Sequence, residues 1–287
     1  MGRILLCPNP YRDCGLKITK YVEELLVKEG HSVSICPIFD SSEDSAVPKD
    51  VEKIELNNVI EGASLLIAIG GDGTILHAGR KAAIHEVPVI GINAGTKGFM
   101  AIIERDDVDS VITAARGDYI MEHRMVLDVE LYRAEKLVYK DCAINDAVIN
   151  GYGDCITITA WCDGVKMTTF SGDGAILATP TGSSAYSLSA GGPLVEPTAK
   201  NIILTPICVH GLSARSYVLD SHRYVTIREE HHHGKKAFLK VDGNMPVQLE
   251  NDDIIKVRKS KKDFLMANLG KKSFYDIAFE KLIDRER

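Results

Sequence analysis

An α/β domain followed by a mostly antiparallel all-β domain is the fold class this sequence predicts. Two observations carry it. Up to about residue 100, short apolar runs alternate with amphipathic stretches, which is the βαβ pattern of a parallel sheet covered by helices. From about residue 101, helical periodicity fades, and β-branched runs recur between Asp-Gly and other turn signals. Domains of 1–100 and 101–262 follow.

Arg3 to Cys7 reads as the first strand. Leu16 to Glu29 places Leu16, Tyr21, Leu25 and Leu26 at helical spacing, and Gly30 is a natural stop. Ser32 to Cys36 is the second strand, and the polar, acidic Ser41 to Asp50 is a mobile loop. Leu65 to Ile69 is a continuous apolar run suited to a strand buried on both faces; a helix over Thr74 to Ile84 and a strand over Val87 to Ile92 follow it. In the second half, Thr157 to Trp161 and Val165 to Phe170 flank Asp163-Gly164, and Phe238 to Val241 precedes Asp242-Gly243, so both dipeptides read as hairpin turns. Asp253 to Val257 is a further strand.

The composition narrows the function. With 45% hydrophobic and 26% charged residues, the 287-residue chain is ordinary for a globular protein. A net charge of -6 argues against a nucleic-acid surface, which needs Lys and Arg in excess on one face. Seven cysteines without a Cys-x-x-Cys pair fit a reducing compartment better than a disulfide framework. The start lacks the apolar core of a signal peptide, and no run approaches the roughly 20 apolar residues of a membrane span. A cytoplasmic protein without membrane association is the expectation.

Gly70-Gly71-Asp72-Gly73 stands between the buried strand and a helix. Its glycines allow close backbone approach, and amides at a helix start present partial positive charge to phosphate. A tight turn is the bland alternative, but the chain continues as a helix rather than a returning strand. The loop is neither a dinucleotide fingerprint nor a Walker A motif. A second segment, Thr179-Pro180-Thr181-Gly182-Ser183-Ser184-Ala185-Tyr186-Ser187-Leu188-Ser189-Ala190-Gly191-Gly192-Pro193, is dense in small hydroxylated residues. Pro180 ends a strand over Ala175 to Thr179, and a short helix carries Tyr186, whose ring suits stacking on a base while neighbouring hydroxyls bond its edges. Asn145-Asp146 is a polar pair inside the apolar strand Ala143 to Ile149; polar groups placed there need partners. His231-His232-His233 reads as an exposed loop rather than a metal site, since consecutive histidines cannot all aim at one ion.

In identity and order, the glycine loop, Asn145-Asp146 and the Thr-Pro-Thr-Gly segment resemble the NAD kinase family, and the match spans most of the chain. Asn93-Ala94-Gly95-Thr96-Lys97-Gly98-Phe99 and His210-Gly211-Leu212-Ser213-Ala214-Arg215 add to the resemblance. It implies an N-terminal α/β domain, a C-terminal all-β domain, a tail over about 263–287 that returns to the first domain, and an active site between the two domains. It further implies ATP and NAD as substrates, Mg²⁺ or another divalent cation carried with ATP, and a homodimer or homotetramer.

By the same resemblance, Asp72 orients and deprotonates the 2′-hydroxyl of the adenosine ribose of NAD, Gly71 and Gly73 form part of the phosphate cradle, and Gly70 and His77 also belong to the cofactor-binding residues. Asn145 and Asp146 hold the acceptor ribose. Ser183, Ser184, Ala185, Tyr186, Ser187, Leu188 and Ser189 surround adenine and ribose, and Asp173 lies nearby in the dinucleotide site. The chain departs from the family pattern at several positions. Asp146 stands where Glu is usual, Ser184 where Thr is common, and Lys97 where an apolar residue is frequent; Gly211 and Ser216 also differ from the common residues. A lipid-type kinase that shares the glycine loop and a non-catalytic NAD or NADP sensor are the rival readings, the first disfavoured by the serine-rich segment and the second by the retained Asp72.

Overall fold

The computed structural model describes residues 2–38, 54–95, 98–210, 215–230 and 235–282. The expectations for Ser41 to Asp50, Thr96-Lys97, Gly211 to Ala214 and His231 to His233 lie outside them. The chain divides into two compact units, Met1–His123 with Phe264–Arg287, and Arg124–Asp263.

In the first unit, strands β1 (Arg3–Pro8), β2 (Ser32–Ile35), β3 (Leu65–Gly70), β4 (Val89–Asn93), β5 (Ile120–Arg124) and β18 (Phe264–Asn268) form one sheet in the order β2-β1-β3-β4-β18-β5. The pairs β1/β2, β1/β3, β3/β4 and β18/β4 are parallel. Every residue of β3 and β4 is buried, as a sheet covered on both faces requires. Helix α1 (Lys17–Lys28) buries Thr19, Val22 and Leu26, the short α2 (Leu56–Val59) buries Leu56, and the short α4 (Val111–Ala115) buries Val111 and Ala114. Tyr21, expected on the buried face of α1, instead lies at the rim with its hydroxyl donating to Asp109 Oδ1 at 2.7 Å. Asp13 supplies the start of α1: its carboxylate accepts the amides of Ile18 at 3.0 Å and Thr19 at 2.9 Å, which offsets the unpaired N–H groups of a first turn. Gly30, at φ 83°, closes the other end.

The boundary expected at residue 100 is corrected to His123/Arg124. Val108, Val111 and Ala114 pack into the first unit's core beside Ile92 and Ile103, and β5 pairs with β18 from the far end of the chain.

In the second unit, the strands are β6 (Leu127–Arg133), β7 (Lys136–Ala143), β8 (Asp146–Gly151), β9 (Ile156–Cys162), β10 (Val165–Gly172), β11 (Gly174–Ala178), β12 (Asn201–Ile207), β13 (Tyr217–Asp220), β14 (Tyr224–Glu230), β15 (Ala237–Val241), β16 (Val247–Gln248) and β17 (Ile254–Lys259). Among the described residues they form two six-stranded sheets, β10-β9-β14-β17-β6-β7 and β13-β12-β11-β8-β15-β16. Alternate residues of both sheets meet in one core, including Leu127, Val129 and Leu131 from β6, Ile156 and Ile158 from β9, and Ala175 and Leu177 from β11. The second sheet is buried on its other face too. There Val148, Ile176, Ala178 and Ile203 pack with Ala190 and Val195, so the Thr-Pro-Thr-Gly segment lies over that face.

The Asp163-Gly164 hairpin has positive φ at both residues, 50° and 80°, as a two-residue turn of primed type demands. After Asp242-Gly243 the connection is longer than a two-residue turn, because β15 and β16 resume pairing only at Leu239 with Val247. The expected strand across Ala143 to Ile149 is two strands. It breaks at Ile144-Asn145, where the chain leaves one sheet at the end of β7 and enters the other at β8.

Candidate functional site

The glycine loop falls at the junction of β3 and helix α3 (Asp72–His85), with Gly71 as the residue that precedes the helix. Asp72 was expected in the turn; it occupies the first helical position, where a carboxylate faces the positive end of the helix dipole. Its two oxygens are held from outside the helix. Oδ2 accepts the Phe99 amide at 2.6 Å, and Oδ1 accepts the Met100 amide at 3.0 Å. Gly98 makes this grip possible, because a Cβ there would lie 2.0 Å from Asp72 Oδ1.

The glycines of the loop do different work. A Cβ on Gly70 would meet Thr74 Oγ1 at 2.3 Å, so Gly70 serves the packing of strand against helix. Gly71 and Gly73 have no positive φ, and an added Cβ at either would meet nothing within 4 Å. Neither the chain's conformation nor its own packing requires them. Both border a cleft of about 340 Å³ with Asp72, Asn9, Arg12 and Gly95, so the missing side chains leave space at the first, unpaired amides of α3. His77 lies one turn further along α3 and is exposed. Asn9, Arg12, Gly95 and Gly98 were not singled out individually for this cleft by sequence; a single Asn-x-x-Arg gives no signal, whereas Gly95 and Gly98 belong to a stretch that did.

The second cluster forms at the sheet-changing corner. Asp242 accepts the amides of Ile144 and Asn145 at 2.8 Å and of Asp146 at 3.1 Å, and its own N–H donates to Asp146 O at 2.9 Å. By sequence Asp242 is only a turn former; in the structure it also caps this corner. Thr179 fastens the other side of the corner: its amide donates to Asn145 O at 2.9 Å, its hydroxyl donates to Ile144 O, and its Oγ1 accepts the Gly182 amide at 3.0 Å. A Cβ on Gly182 would stand 2.1 Å from Asn145 O, which accounts for glycine at that position. Asn145 Oδ1 and Thr181 Oγ1 are buried without a hydrogen-bond partner among the described residues. Such groups cost free energy unless a ligand or water satisfies them. Asp146 is buried at 6% exposure. Burial, and secondly the charge of Asp242, push its carboxyl up to about 7.

Thr181–Ser184 makes one 3-10 turn, followed by a four-residue helix α5 (Tyr186–Ser189). Of the serines expected to surround adenine and ribose, two are buried and engaged within the segment and its neighbours. Ser183 Oγ donates to Pro180 O at 2.7 Å and accepts the Val195 amide at 3.0 Å, and Ser187 Oγ bonds Thr205 Oγ1 at 2.9 Å; both side chains are fully buried. They fix the segment's shape. Ser184 turns back onto Thr181 O at 3.2 Å. Tyr186 remains 45% exposed, with Ala185 and Leu188 partly exposed and Ser189 exposed beside it, so this stretch keeps an open surface. Asp173 is not beside Asn145-Asp146. It precedes β11, whose other end pairs with Asp146, so roughly 15 Å of strand separates them at about 3.4 Å per residue. Its carboxylate accepts from the Cys208 thiol and pushes that thiol up.

Residues 9–119 match the ATP-NAD kinase N-terminal domain, and residues 145–269 match the ATP-NAD kinase C-terminal domain. The chain belongs to the NAD kinase family. It is 33% identical over 292 residues to the NAD kinase of Ruminiclostridium cellulolyticum, covering 100% of this chain and 99% of that one. With the NAD kinase of Acetivibrio thermocellus it shares 32% over 290 residues, covering 99% and 98%. The crystal structure of yeast NADH kinase complexed with NADH is similar at a TM-score of 0.83 and 25% identity, over 99% of this chain and 88% of that one. An NAD kinase from Archaeoglobus fulgidus, in complex with ATP, has the same fold at a TM-score of 0.70 and 24% identity, over 94% of each chain. Within this NAD kinase fold, the two clusters sit one in each family domain.

Asp146 carries a pH signature. An unfolded Asp ionises near 3.9, whereas here the carboxyl ionises near 7, so the folded chain binds the extra proton between those values. Its contribution is fully present below about pH 4 and is lost as pH rises through about 7. Asp146→Asn, which mimics the protonated form, is expected to gain stability over the parent by about 2 kcal/mol between pH 5 and pH 8, as read by urea denaturation at the two pH values. An unchanged difference would show that the carboxyl is ionised throughout.

Proposed function

We propose that this chain transfers the γ-phosphoryl group of ATP to the 2′-hydroxyl of the adenosine ribose of NAD, giving NADP and ADP. The observation that carries the reading is the Asp72 carboxylate, gripped by two amides at the edge of an open glycine cleft. Each oxygen keeps lone-pair capacity after accepting one amide, so the fixed carboxylate can accept a hydroxyl proton. A ribose hydroxyl is too weak an acid to be stripped beforehand by a carboxylate. Asp72 takes the proton as the new O–P bond forms and the bond from the γ-phosphorus to the ADP oxygen breaks. In a loose transition state most acceleration comes from alignment and charge neutralisation, which a preset carboxylate and the amides at Gly71 to Gly73 supply.

Mg²⁺ enters in this reading with the triphosphate, as part of the substrate. Among the described residues no group of three His, Cys, Asp or Glu side chains is placed to hold an ion, so phosphate oxygens and water would furnish most of its ligands. Asn145 and Asp146 would hold the acceptor ribose, with the unsatisfied Asn145 Oδ1 supporting that role, and Tyr186 would stack on adenine. A side chain shorter by one methylene than the usual Glu leaves Asp146 room for a bridging water. His77 belongs to the phosphate side by its place on α3, and Asp173 to the far end of an extended dinucleotide. A cytoplasmic setting, supported by seven free cysteines, and a homodimer or homotetramer, supported by the family resemblance, complete the proposal.

Purified protein supplied with Mg-ATP and NAD should form NADP, detected with an NADP-specific dehydrogenase. Asp72→Asn should lose about 10²–10⁴-fold in turnover while NAD affinity stays within about twofold. Near-parental turnover in that variant would remove Asp72 from the chemistry, and NAD binding without turnover by the parent would favour the sensor. Gly73→Ala separates stability from function. Helix propensity should raise stability by about 0.5–1 kcal/mol, whereas the added methyl group at the loop amides should weaken ATP binding several-fold. Unchanged ATP affinity would mean that phosphate does not approach Gly73.

A further inference from the structure

Helix α6 (Phe274–Leu282) brings Lys281 into the first unit, only 8% exposed. No carboxylate lies within ion-pair distance of its ammonium among the described residues; its close neighbour is the Phe99 ring, 5.4 Å from ring centroid to Nζ. The Phe99 amide is the one that holds Asp72 Oδ2 at 2.6 Å. Lys281 also lines a cavity of about 600 Å³, which meets the glycine cleft at Gly95, a residue common to both. The other cations of that cavity are engaged: Lys272 pairs with Glu280 at 2.7 Å, and Arg105 donates to Ala94 O. Burial pushes Lys281 down, with Asp72, Glu104 and Glu280 pulling it the other way from longer range. An ammonium buried without a counter-charge among the described residues costs the fold desolvation that a methionine of similar length would not.

We propose that Lys281 is a phosphate-binding residue, whose ammonium contacts the triphosphate of the donor nucleotide next to Asp72. This rests on the kinase reading given above. A polyanion in the glycine cleft brings to the ammonium the counter-charge that the described residues do not place within ion-pair distance. It also leaves Asp72 facing the acceptor hydroxyl, with Phe99 between the two charges.

The test compares Lys281→Met and Lys281→Arg with the parent, by calorimetric titration with Mg-ATP and with inorganic tripolyphosphate and by steady-state kinetics. Lys281→Met should fold at least as stably as the parent, because it removes a desolvated charge. It should lose about tenfold or more in affinity for both polyphosphates and raise the KM for ATP with the KM for NAD unchanged, and Lys281→Arg should recover part of the loss. Tripolyphosphate affinity within twofold of the parent would overturn the assignment, as would a loss confined to NAD. A parent that binds tripolyphosphate through Lys281 yet forms no NADP would sink the kinase reading and leave the phosphate contact standing.

Discussion

The Asp72 carboxylate, pinned between the start of α3 and the amides of Phe99 and Met100, is the constraint around which the first unit is arranged. Three separate pieces of chain must agree for it to exist. Strand β3 must end where α3 can begin, β4 must deliver the following loop to the same sheet edge, and Gly98 must lack a side chain. A carboxylate at a helix start with two further donors is held in place before substrate arrives. Pre-set geometry is what phosphoryl transfer draws on, since little covalent work is asked of the protein.

The second unit solves a different problem with similar means. A chain that changes sheets exposes the backbone of the corner, and Asp242 and Thr179 satisfy those groups from two sides. Asp242 accepts three amides, whereas among the described residues no comparable set of donors reaches its buried neighbour Asp146, whose carboxyl moves toward the neutral form. At pH 7 the Asp146 carboxyl of this corner is therefore about half protonated, with Asn145 Oδ1 buried beside it without a hydrogen-bond partner among the described residues. A polar ligand is the natural partner for such a place.

Much of the fold was legible because it is local. The continuous apolar run of β3, the glycine stop after α1 and the positive-φ pair at Asp163-Gly164 each follow from a few adjacent residues. Features set by distant chain were not. Residues 105–123 join the first unit because β18, from near the end of the chain, pairs with β5, and no pattern within 105–123 announces that partner. Asp242 looked like a turn residue because its three acceptor bonds go to residues nearly a hundred positions earlier. In the serine-rich segment sequence marked the right stretch but not which hydroxyls face inward; Ser183 and Ser187 are spent on holding the turn, a division that only packing decides.

The measurement that bears most directly on this account is phosphorus NMR of the parent protein turning over Mg-ATP and NAD. A new monoester resonance on the 2′ position of the adenosine ribose is expected, growing in step with ADP. ADP released without a new ester, or an ester at another hydroxyl, would contradict the assignment of a fixed carboxylate to the 2′-hydroxyl.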